Sequence, residues 1–135
     1  MAKRKTRNKK SEQVLSQRVT NLMLLDYPKV PFRFDVGADM PLPPMYHKRM
    51  KDAHGKWSRG YPDMFIATGR GGYGGLYIEL KATEKVENNE HTRRQAVYHS
   101  VLRRNGYYVK FSCGYDETKK IIKTYMKLKK NKVIK

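Results

Sequence analysis

Two short apolar runs, Met64-Phe65-Ile66-Ala67 and Leu76 to Lys81, flank a stretch that holds Gly69, Gly71, Gly72, Gly74 and Gly75. Nothing else in the chain constrains the fold as strongly. Runs of that length and composition form strands, and the glycines supply the positive φ angles of a tight hairpin. The hairpin carries charge where a buried strand would not. Asp63 opens the first run after Gly60-Tyr61-Pro62, and Ile78-Glu79-Leu80-Lys81 closes the second. Glu79 and Lys81 are two apart, so both side chains leave the same face of a strand, and Asp63 can converge on that face from its neighbour. Either acid alone could be an ordinary strand-end carboxylate. Together, buried without a use, they would be costly. Two carboxylates suit a hard cation such as Mg²⁺ or Mn²⁺. A lysine beside them can orient or deprotonate water, or neutralise charge on a phosphate. The pattern is what a metal-dependent phosphodiesterase requires.

The same glycines fit G-x-G-x-x-G over Gly69-Arg70-Gly71-Gly72-Tyr73-Gly74. A dinucleotide site is excluded, because a strand follows and no helix N-terminus can receive a pyrophosphate. Arg70 remains as a cationic tip able to touch a backbone phosphate.

Charge points to the same class of partner. The 135-residue chain carries a formal net charge of +18, which favours a polyanion. The charge is concentrated at the ends. Residues 1–10 hold Lys3, Arg4, Lys5, Arg7, Lys9 and Lys10 without an acid, and residues 119–135 hold eight lysines without an acid. The middle is only mildly basic. Such ends contribute affinity for phosphates without specificity. Cys113 is the only cysteine, so there is no internal disulfide and no Cys-rich zinc site, which fits a reducing cytoplasm. No apolar stretch approaches a membrane span, and the basic opening has no apolar core behind it to make a secretory signal.

Along the chain, Ser11 is the expected N-cap of a helix whose stripe is Val14, Leu15, Val19, Leu22, Met23 and Leu25, closed by Tyr27-Pro28. Val30 to Val36 alternates as a strand. Residues 37–59, with Pro41, Pro43, Pro44, His47, His54 and Trp57, read as a long irregular loop, functional or mobile. A second helix is expected over His91 to Asn105 with Gly106 as its C-terminal stop. A strand follows over Tyr107 to Ser112, then a last helix from Asp116 to about Lys130. Gln95 lies on the second helix with His91 and His99 a turn to either side; neither histidine is read as a metal ligand. The expected organisation is a basic disordered arm over 1–10, a single domain over 11–128 and a basic tail over 129–135.

Gly60-Tyr61-Pro62-Asp63, Ile78-Glu79-Leu80-Lys81, Gln95 and Leu102-Arg103-Arg104-Asn105-Gly106-Tyr107-Tyr108-Val109 resemble the VRR-NUC family of the PD-(D/E)xK nuclease superfamily, from about Ser11 to Tyr125. The resemblance implies an α/β, restriction-endonuclease-like core, α-β-β-β-α-β, here with a C-terminal helix. It implies a metal held by Asp63, Glu79 and the backbone carbonyl of Leu80, with Lys81 as catalytic lysine. It adds Glu12 as an acid on the first helix and Gln95 near the site. It implies DNA as substrate, structure-selective cleavage of branched DNA such as four-way junctions, a homodimer, and a bacterial or phage source. The basic residues, with Arg59 and Arg70, would meet DNA. Residues 37–59 depart from the pattern and leave the DNA shape open. The alternatives are a basic nucleic-acid-binding protein without catalysis, and the same fold working as a sequence-specific restriction enzyme.

Overall fold

The computed structural model describes residues 2–35, 43–55 and 60–133, with the backbone alone over 2–10. Helix α1 (Ala2–Asp26) starts the chain. It begins nine residues before Ser11, so the segment expected as a disordered arm continues the helix. Neither Gly nor Pro interrupts residues 2–26, and Lys and Arg are good helix formers. Leu15, Val19, Leu22 and Met23 recur at helical spacing and are buried. Val14, Leu24 and Leu25 remain exposed, Leu25 at 80%. Val14 and Leu25 therefore leave the stripe assigned to them, and the helix carries apolar surface that its own core does not cover. The helix ends where Pro28 restricts Tyr27.

Strand β1 (Phe32–Phe34) follows, then helix α2 (Pro44–His54), β2 (Met64–Ile66) and β3 (Leu76–Lys81). Helix α2 stands inside the segment expected to be irregular. Its prolines suggest a loop, but Pro44 occupies the first helical turn, where its missing N–H costs nothing. Helix α3 (Glu90–Arg104), β4 (Tyr108–Cys113) and α4 (Tyr115–Met126) complete the chain. The side chain of Asn89 caps α3 by accepting from Thr92 N at 2.9 Å. Gly106, at φ 89°, turns the chain out of α3 into β4.

The strands lie in the order β1-β2-β3-β4. The first three are antiparallel, and β4 is parallel to β3, so α3 is the crossover between them. Apart from α2, this is the expected α-β-β-β-α-β order with a C-terminal helix. Helices α1 and α4 cover one face, where Met64, Ile66, Leu76, Ile78, Leu80, Ile122 and Tyr125 join the buried residues of α1. Helix α3 covers the other, with Tyr77, Leu102 and Val109 against Phe65, Tyr98 and Tyr107.

The last helix stops at Met126 rather than near Lys130, because the chain beyond it is used otherwise. Gly71 N donates to Lys129 O at 2.7 Å, and Gly72 N to the Asn131 side chain at 2.8 Å. Asn131 Nδ2 in turn donates to Tyr73 O at 2.8 Å. The segment from Lys129 to Asn131 thus clamps the glycine-rich turn and belongs to the domain, not to a free tail. Arg70 is accordingly not a flexible tip. It is partly buried, paired in backbone register with Lys130, and its Nε is enclosed.

Candidate active site

The alternation of β3 decides what the site contains. Leu76, Ile78 and Leu80 turn to the face covered by α1 and α4; Tyr77, Glu79 and Lys81 turn to the face of α3. The register Met64↔Ile78, carried one residue further, sets Asp63 opposite Glu79. Directly opposed residues share a face, so the two carboxylates converge as expected.

Asp63 is held by the strand it faces: Leu80 N donates to Asp63 Oδ2 at 2.8 Å. Glu79 is 4% exposed. Gln95, buried on α3, donates from Nε2 to Glu79 Oε1 at 2.7 Å, and its Oε1 accepts from Lys81 Nζ at 3.0 Å. Only this amide orientation matches donors to acceptors on both sides. Lys81 Nζ also lies 3.8 Å from Glu79 Oε1. Gln95 therefore locks acid and lysine into one unit, which accounts for its place in the motif. Gly60, at φ 87°, lets the Gly60–Asp63 segment run against the backbone of Arg94 and Gln95, which a side chain would meet at 3.4 Å and 3.5 Å.

The other Glu79 oxygen, Oε2, is buried without a hydrogen-bond partner. Burial and the neighbouring Asp63 charge push the Glu79 carboxyl up to about 9, against the pull of Lys81. An acid this strained by its surroundings is the environment that a bound cation relieves. The donor set is all oxygen, with Leu80 between the two acids, and so fits Mg²⁺ or Mn²⁺, which one or two carboxylates suffice to hold. Among the described residues no three His, Cys, Asp or Glu side chains form one group. Glu12 is accordingly not gathered with Asp63 and Glu79; it stands, partly exposed, on α1, one turn before Leu15.

Two residues were not legible in the sequence as part of this region. Asp35 N donates to Asp63 O at 2.7 Å, which extends the β1–β2 ladder and aligns Asp35, Asp63 and Glu79 in a row across three strands. The charge of Asp35 also acts on Tyr61 and Tyr98, on the α3 side of the sheet. Its parity in the alternating run was visible; the pairing that brings it beside Asp63 was not. His99, expected as a solvated helix residue, is fully buried against Phe111, with a ring separation of 4.4 Å. Neither of its ring nitrogens has a hydrogen-bond partner. Burial, with Arg103 and Lys81 nearby, holds it down at about 4, so the ring is neutral at pH 7. Of the residues expected to meet DNA, Arg59 and the side chains of Lys3, Arg4, Lys5, Arg7, Lys9 and Lys10 lie outside the described residues, as does Trp57. Arg70 lies beyond Ile66 and ahead of Leu76, at the end of the sheet away from Asp63 and Glu79.

A four-stranded α/β sheet with a carboxylate pair and lysine at one end of its central strands is a restriction-endonuclease-like arrangement. The fold is that of a solved structure described as a VRR_NUC domain protein, with a TM-score of 0.65 and 22% identity over 89% of this chain and 91% of that one. No protein-family model and no curated protein matches the chain.

If Gln95 positions the pair, Gln95→Leu leaves Glu79 Oε1 and Lys81 Nζ without their shared partner. Any metal-dependent turnover should then fall by about 10–100-fold, with a shifted pH profile. Initial rates from pH 6 to 9 check this.

Proposed function

We propose that this chain is a metal-dependent DNA endonuclease of the VRR-NUC type, structure-selective and acting on branched DNA. The observation that carries the reading is Glu79 itself: one oxygen fixed by Gln95, the other buried and unpartnered, and Asp63 beside it pinned by Leu80 N. Asp63, Glu79 and the Leu80 carbonyl would hold the cation. When bound, a divalent cation polarises the phosphate and lowers the pKa of water so that hydroxide can attack in line.

The chain's own residues do the rest. Gln95 keeps the Lys81 ammonium at the mouth of the site, and only one of its three donors is taken by the amide. The others are free to neutralise charge developing on the phosphate or to orient the attacking water. The Leu80 N–H holds the Asp63 carboxylate in place beside Glu79. The strong positive charge of the chain supplies attraction for the substrate backbone. Among the described residues no helix is long and apolar enough to cross a membrane. A bacterial or phage-infected cytoplasm is the proposed setting.

The exposed Val14, Leu24 and Leu25 on α1 support a homodimer, which would offer two sites to a two-fold junction. One experiment tests both parts. Purified protein with Mg²⁺, Mn²⁺ or EDTA is incubated with linear, flap, splayed and four-way-junction DNA, and its mass is read by light scattering. Cation-dependent cutting that favours a branched substrate, at about twice 15.9 kDa, is expected. Cutting in EDTA would remove the metal reading, and binding without any cutting would leave a nucleic-acid-binding protein. A mass near 15.9 kDa with junctions cut would remove the dimer.

A further inference from the structure

Helix α2 is the part of the fold that its own core does not explain. None of its 11 residues is buried. A helix of that length is marginal by itself, since most helical stability comes from packing one face. Pro44 in the first turn and Lys51 and His54 in the last favour it only slightly. Something outside the domain core must be its partner.

The sequence of α2 says what that partner is. At 100° per residue, His47, Lys48, Lys51 and His54 fall on one arc of the helix, while Tyr46, Met50 and Ala53 fall on another. The only acid, Asp52, lies outside the arc of His47, Lys48, Lys51 and His54, as does Arg49, and Met50 is the one residue partly covered. The covered trace is on the apolar arc; the basic arc is fully exposed.

Chain length says where it works. Helix α2 leaves the sheet after Asp35 and returns at Gly60, so both its tethers start at the row of acids. Gly55 and Gly60 are five residues apart, which at about 3.6 Å per residue limits their separation to roughly 18 Å. Gly60 itself lies against the backbone of Gln95. On a duplex that rises about 3.4 Å per base pair along its axis, that reach covers about five base pairs.

We propose that α2 is a substrate-binding element whose basic arc, Lys48 and Lys51 with His47 and His54 beside them, grips the phosphate backbone of DNA flanking the phosphate held at Asp63 and Glu79. The inference rests on the nuclease reading for the identity of the substrate. It makes helix α2 a device that sets which DNA shapes reach the site, and it explains a helix that the domain core leaves bare.

The test is binding, not cleavage. Full-length wild type and Lys48→Gln/Lys51→Gln are titrated onto fluorescein-labelled duplex and four-way-junction DNA in EDTA, by anisotropy, from low to moderate salt. Both positions are exposed, so the variant keeps its core. Losing two phosphate contacts should lower the slope of log K against log salt by about 2 and weaken binding by about 10–100-fold at low salt. DNA should raise the helical circular dichroism of the wild type and raise that of the variant less. An unchanged slope overturns the inference. So does an equal loss in Lys120→Gln/Lys123→Gln on α4, which would reduce the effect to overall charge. A change of mass with the slope intact would make α2 a contact between copies, and would overturn it too. Failure of the nuclease reading shows separately, as wild type that binds DNA but does not cut it with Mg²⁺ or Mn²⁺.

Discussion

Glu79→Gln is expected to abolish cleavage while making the metal-free protein more stable. The two effects have one cause. In the folded chain the Glu79 carboxyl is buried beside Asp63 and pushed up from its ordinary 4.5 to about 9. The folded state therefore holds the proton more tightly than the unfolded state, and its stability falls as pH rises through the window from 4.5 to 9. The penalty is absent below pH 4.5, grows between, and is complete above 9. At pH 7 it is at most on the order of 3–4 kcal/mol, because a tenfold change in proton affinity is worth about 1.36 kcal/mol. Glutamine keeps the bond from Gln95 Nε2, because its amide oxygen accepts in place of Glu79 Oε1, and it cannot ionise. Calorimetry in EDTA should show Tm of Glu79→Gln above wild type at pH 8 and close to it at pH 5. A gain independent of pH would refute this account of the strain. Saturating Mg²⁺ should reverse the order, because a cation repays the burial of the carboxylate in wild type alone. Cleavage should drop at least about a thousandfold, the scale on which electrostatic stabilisation of a transition state is lost, while DNA binding persists. Asp63→Ala and Lys81→Ala should share the loss of cleavage.

The residue before it should behave in the opposite way. Ile78→Ala is expected to destabilise the protein by about 3–4 kcal/mol and to lower Tm by roughly 10 °C, yet to leave cleavage per folded molecule nearly intact at 25 °C. Ile78 is fully buried on the central strand, between the α1 and α4 layer and its neighbour Met64. Removing three carbons leaves a cavity that helices on a sheet cannot close. The backbone that presents Glu79 stays in its ladder with β2 and β4. Urea titration should show a lower midpoint with unchanged slope. A large loss of turnover in folded Ile78→Ala would mean that the core sets the site's geometry more tightly than the ladder does.

These adjacent residues also show how far the sequence could be read. Alternation is local: a strand sends successive side chains to opposite faces whatever surrounds it. Glu79 and Lys81 could therefore be placed together, and Ile78 and Leu80 assigned to a core, before any pairing was known. The glycines of the turn, the stop at Gly106 and the block at Pro28 are local in the same way, because they act through φ and a missing N–H. Elements read from such signals fell within a few residues of their observed ends. Exceptions arose where a distant segment competed for the backbone. The last helix was read on to about Lys130 but stops at Met126, because Lys129 to Asn131 are drawn off to hydrogen-bond the glycine turn. Residues 2–10 were expected to be disordered, yet they continue helix α1.

What the sequence alone determined is which groups share a face: two acids and a lysine on neighbouring strands, in a chain of formal net charge +18. Only tertiary structure decided how those groups are tuned. That Gln95 joins Glu79 to Lys81, that Asp35 enters the row beside Asp63, and that His99 is sealed against Phe111 all depend on α3 crossing the sheet and on the register of β1 with β2. Register is set by contacts between residues far apart in the chain, and burial by which helix covers which face. No spacing within one segment encodes either.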